Sequence, residues 1–115
     1  MKEDLSAKLA IQLKNIIDDY NILRGQSKYD DLSDRSILDL QHALVKSMAA
    51  IERIAGRSSI YYEHAEKIQG GSDFEGNKLS KIVGIMRSLK EDIEAGYVQT
   101  LEELIHSDVF SDFLV

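Results

Sequence analysis

No cysteine, proline or tryptophan occurs in the 115 residues, and no uninterrupted apolar run approaches the roughly 18 residues needed to cross a bilayer. Without cysteine there is no disulfide framework, no thiolate nucleophile and no cysteine zinc site, so stability has to come from a packed core. Without proline, nothing interrupts a helix by ring geometry or by a missing amide. A basic excess is missing too: 20 acids stand against 14 bases, a net charge of −6. That balance argues against generic binding to a nucleic-acid backbone, which needs clustered Lys and Arg. It suits the capping of a basic partner.

The opening MKEDLSAKLA carries two acids in its first four residues, unlike the basic start and apolar centre of a secretory signal. The expectation is a cytoplasmic chain without a membrane partner. A 43% hydrophobic and 30% charged composition is that of a globular domain, and the length suits one core. Residues 1–115 are therefore read as a single helical domain.

Apolar residues recur at three and four throughout, and no segment alternates as a strand does. Leu9, Leu13, Ile16, Tyr20 and Leu23, widened by Leu5 and Ile17, predict a first helix over Glu3 to Arg24, stopped by Gly25. After a polar connection over Gln26 to Leu32, Ser33 or Asp34 is the expected cap of a second helix reaching Ala55. Its stripe is Ile37, Leu40, Leu44, Met48, Ile51 and Ala55, and Leu38, Val45 and Ile54 broaden it enough to suggest burial against several neighbours.

Ser58 or Ser59 caps a third helix through Gln69, with Ile60, Tyr61, Ala65 and Ile68 inward. The loop GGSDFEGN follows. Leu79, Ile82, Met86, Leu89 and Ile93 then mark a fourth helix over Lys78 to Ala95, with Gly84 inside it and Gly96 as its stop. Thr100 and Glu103 form a capping box before a fifth, whose apolar face runs through Leu101, Leu104, Ile105, Val109, Phe110, Phe113 and Leu114. The expected fold is all-α, a four- to five-helix antiparallel bundle. Because the last apolar face runs to the final residue without a stop, the chain reads as the N-terminal module of a longer protein.

Two Arg–His pairs share one spacing, Arg57 with His64 in GRSSIYYEH and Arg35 with His42 in DRSILDLQH. Seven positions are nearly two helical turns, so such a pair on one helix shares a face and can hold a phosphate. Arg would stabilise the charged transition state, and His would move the proton. The plainer alternative is a solvated Arg57 after a helix stop and a His64 at the edge of the core.

Other signals are weaker. The glycines and Lys78 of the loop Gly71 to Lys78 resemble a phosphate loop superficially, but Asn77 intrudes, no strand precedes it, and Asp73 and Glu75 repel phosphate. His42, His64 and His106 lack metal-ligand spacing, and Asp30, Asp31 and Asp34 lack the rest of a calcium loop, so no metal and no cofactor is inferred. Tyr61 and Tyr62 lie about 100° apart on a helix, which leaves one of them for the bundle edge or a partner. Lys78, Lys81, Arg87 and Lys90 are interleaved with Glu91, Asp92 and Glu94, as on a solvated mixed face.

The phrases YYEHAEKI, LKEDIEAGY and LEELIHSDVFSDFL, spanning Tyr61 to Leu114, resemble the N-terminal helical region of a group of uncharacterised bacterial proteins. In that group a phrase ending in FSDFL runs on into a second helical domain that is similar to HEPN domains. The resemblance implies a helical module beside a nuclease-like or nucleotide-related part that this chain does not include, in a setting of phage defence or stress response.

The reading favoured is a non-enzymatic module for protein–protein interaction or oligomerisation, with Tyr62, Phe110, Phe113 and Leu114 as interface residues. A small HEPN-like, metal-independent ribonuclease using Arg57 and His64 is the second reading. An acidic antitoxin or immunity-type binder is the third.

Overall fold

The computed structural model describes residues 2–97, in which four helices pack against one another: α1 (Lys2–Gln26), α2 (Ile37–Ala55), α3 (Ile60–Gln69) and α4 (Glu75–Glu94). The fold is an all-α helical bundle. The expected fifth helix, with Phe110, Phe113 and Leu114, lies outside the described residues.

Cross-helix contacts fix the directions. Arg53 donates to Gln12 at 3.1 Å and Lys46 stands 3.7 Å from Asp19, so α2 runs back along α1. Arg87 donates to Asn21 at 3.0 Å while Gly76 meets Asp31 just beyond α1, and Tyr61 donates to Asp92 while Lys78 donates to Gln69, so α4 is antiparallel to both α1 and α3. Together, α2 and α4 form a parallel central pair, flanked by α1 on one side and α3 on the other.

The stripes read from the sequence make the core. Leu9, Leu13, Ile16, Ile17 and Tyr20 of α1 meet Leu40, Leu44, Ile51 and Ile54 of α2 and Leu79, Ile82, Met86, Leu89 and Ile93 of α4. Each such Leu or Ile contributes on the order of 1.5–3 kcal/mol by leaving water. Ala65 is the one fully buried residue of α3, a short helix that otherwise covers the core through half-buried Tyr61, Tyr62 and Ile68.

Three expectations need correction. Gly25 does not stop α1, which runs on to Gln26 through it. The residue before α2 is Ser36, whose side chain makes no capping bond, while Asp34 turns back to accept from the Ser27 hydroxyl and the Lys28 amide. Ser27 above all, with Lys28, holds the Asp34 carboxyl below the usual carboxylate range. The fourth helix opens at Glu75, three residues before the expected Lys78.

The largest departure is in α2. Ile37, Leu38 and Val45 are 46%, 72% and 66% exposed, so they add nothing to the core. The helix does touch all three others, but through a different arc on which small Ala43, Ser47 and Ala50 let its neighbours approach. On α3, Ile60 likewise faces outward at 67% exposure.

The polar connection between α1 and α2 hides a core residue. Leu32 is fully buried with φ 58°, a left-handed backbone that costs a non-glycine residue roughly 1–2 kcal/mol. Its amide donates to Tyr29 O at 3.1 Å, and its carbonyl accepts from the Arg35 amide at 3.0 Å, which holds the turn. The preceding Asp31 carbonyl presses on the first turn of α4, where Gly76 leaves room for it. That contact fastens the connection to a helix distant in sequence.

Candidate functional site

Arg57 and His64 do not share a helix face. The third helix begins at Ile60, after the Ser59 hydroxyl has accepted from the Tyr62 amide at 3.1 Å, so Arg57 belongs to the preceding turn. The two-turn register that paired it with His64 therefore does not apply. Arg57 is 77% exposed and donates through Nε to Glu52 at 2.8 Å, a bond that, with the carboxylate's charge, raises its pKa further. It lines a hollow at the end of α2 with Ala49, Glu52, Arg53, Gly56 and Ser58.

His64 opens elsewhere, onto a shallow hollow between α3 and α4 formed with Ile60, Tyr61, Ile85, Ser88 and Asp92. Inside it the Tyr61 phenol donates to the Asp92 carboxylate. Burial first, then that bond and the negative charge, push the phenol up to about 12. A neutral phenol fixed on a carboxylate closes the α3–α4 seam and offers neither a base nor a nucleophile near neutrality. The second pair separates for the same reason: Arg35 precedes α2, and His42 lines the seam between α1 and α2 with Asp19, Asp39 and Lys46.

The other charged features are committed to structure. Lys78 is buried, donates to the main-chain carbonyl of Gln69 at 3.0 Å and stands 3.7 Å from Glu75, tying the end of α3 to the start of α4. A phosphate cannot use that ammonium without breaking the tie. Lys81 pairs with Asp73, whose carboxyl is lowered by it, and Lys90 pairs with Glu94 at 2.8 Å. Asp30 accepts from Arg24, and Asp31 from the Ser33 amide at 3.0 Å. Among the described residues no three His, Asp or Glu side chains gather as metal ligands, and no helix is long and apolar enough to cross a membrane.

Of the expected interface residues, Tyr62 is half-buried against the core, and Phe110, Phe113 and Leu114 lie outside the described residues. What the sequence reading missed is the outer face of α2. Leu38, Val45 and Ala49 are all exposed on it, and it ends in the hollow that Arg57 borders, which measures about 570 Å³. The signal was present as an apolar arc on α2 wider than one core can cover.

No known protein family, curated protein or solved structure matches this chain.

Proposed function

We propose that the chain is a non-enzymatic helical module that binds other protein surfaces through an apolar helix face. The observation that carries this reading is the alignment of Leu38, Val45 and Ala49 on the solvent side of α2, with a hollow at its end. Single exposed apolar residues are ordinary on any surface, but an aligned set beside a hollow is the geometry used by helix-face recognition. The commitment of Arg57, Tyr61 and Lys78 to internal partners supports a non-enzymatic role.

The reading includes a cytoplasmic setting. The resemblance carried by Tyr61 to Leu114 supports a place in a bacterial defence or stress-response protein. The test is a photo-cross-linking residue placed at Val45 and, as a control, at exposed Ser80 on α4, in cells expressing the full chain. Discrete protein adducts from position 45 and none from position 80 are expected. Absence of adducts at 45, or the same adducts at both, overturns the reading.

A further inference from the structure

We propose that the partner of the α2 face is a second copy of this chain, paired antiparallel about a two-fold axis through Val45. The inference deepens the interaction-module reading and rests on it. Its first support is shape. Leu38 projects at 72% exposure seven residues before Val45, and Glu52 and Arg53, on the near side of the hollow that Ala49, Gly56, Arg57 and Ser58 also line, stand seven and eight residues after it. Seven residues rise about 10 Å along a helix, so the knob and the near side of the hollow lie equally far from Val45. A two-fold axis there seats each Leu38 in the other copy's hollow and each Val45 on its counterpart, the self-complementarity a symmetric dimer requires.

The hollow is also prepared for an apolar guest. The Glu52 carboxylate is paired with Arg57 at 2.8 Å, so its charge is already neutralised within the lining. A volume of about 570 Å³ is ample for a leucine side chain.

The second support is charge. Asp39, Lys46 and Arg53 repeat at seven-residue intervals along one border of the face. Antiparallel pairing sets Asp39 against the other copy's Arg53, twice by symmetry, where the guanidinium that donates to Gln12 at 3.1 Å keeps its remaining N–H groups for the carboxylate. Parallel pairing turns this border towards the opposite border of the other copy, so Asp39 and Arg53 do not meet. Lys46 falls near its own counterpart at the axis, but its ammonium is turned to Asp19 of its own chain at 3.7 Å. Opposed helix dipoles favour the same direction.

Because the chain has no cysteine, introduced thiols report the pairing directly. Under mild oxidation Val45→Cys is expected to form a disulfide-linked dimer. Leu38→Cys and Glu52→Cys should each stay monomeric alone and cross-link when mixed. In sedimentation equilibrium the unmodified chain should dimerise, and Val45→Glu should weaken the dimer by at least about tenfold. Val45 is largely exposed, so circular dichroism should report an unchanged fold.

A chain that stays monomeric as concentration rises overturns self-pairing. So does a dimer indifferent to Val45→Glu, or one in which Leu38→Cys cross-links to itself. If the chain is monomeric and position 45 still gives protein adducts in cells, the interaction module stands and its partner is a different protein. If both fail, the interaction reading fails with the pairing.

Discussion

Gly76 of α4 lies so close to the carbonyl oxygen of Asp31 that a β-carbon built on it would stand 1.6 Å from that atom. Both sides of the contact are backbone, so no rotamer change can relieve a clash. Gly76→Ala is expected to destabilise the chain by about 2–4 kcal/mol, read as a lower urea midpoint with faster amide exchange over residues 27–36. Helix propensity alone would favour alanine by roughly 1 kcal/mol, so the sign of the change decides whether the contact exists.

Gly84 is the opposite case on the same helix. Nothing lies within 4 Å of the position its β-carbon would take, and it sits exposed in the interior of α4. Gly84→Ala is expected to raise stability by about 0.5–1 kcal/mol, through helix propensity and a less flexible unfolded chain. A loss measured in the same urea series would show that something packs on this face.

Leu32 gives the connection its place in the core. Leu32→Ala removes a fully buried side chain without relieving the left-handed backbone at φ 58°. The cost should be about 2–4 kcal/mol, as for other core truncations. A change below about 0.5 kcal/mol, the scale of ordinary surface substitutions, would mean that the loop is only draped over the bundle.

The Tyr61 phenol makes stability depend on alkali. Its pKa rises from 10.0 to about 12 on folding, through burial first and then the bond to Asp92. Below pH 10 both states hold the phenol neutral, and its contribution is complete. Between pH 10 and 12 the unfolded chain releases the proton more readily, so stability is lost through that window. Tyr61→Phe should show a flatter decline in urea midpoint between pH 9 and 11. Parallel declines for the two chains would remove the phenol from the account.

The bundle was legible where its cause is local. Leu9, Leu13, Ile16 and Tyr20 on α1, and Leu79, Ile82, Met86, Leu89 and Ile93 on α4, follow helical periodicity and are buried as that periodicity requires. Leu32 and Gly76 were not legible, because each owes its role to a part of the chain that periodicity does not relate to it. Leu38 and Val45 failed differently. Periodicity says which residues share a face and not how many neighbours arrive, so a wide apolar arc was read as burial where it is exposed. The Arg57 and His64 pairing failed on a boundary: three residues of turn before α3 are enough to break a register that helix geometry would otherwise enforce.

The common wall that α4 provides bears on the order in which the chain can settle during synthesis. Leu40, Leu44, Ile51 and Ile54 lack much of their cover until Leu79 through Ile93 have been made. While the ribosome is still extending the chain, α1, α2 and α3 therefore carry open apolar surface that, among the described residues, only α4 closes. A nascent chain halted before Glu75 should remain a substrate for chaperones and proteases, and release from them should coincide with the emergence of α4 rather than grow helix by helix.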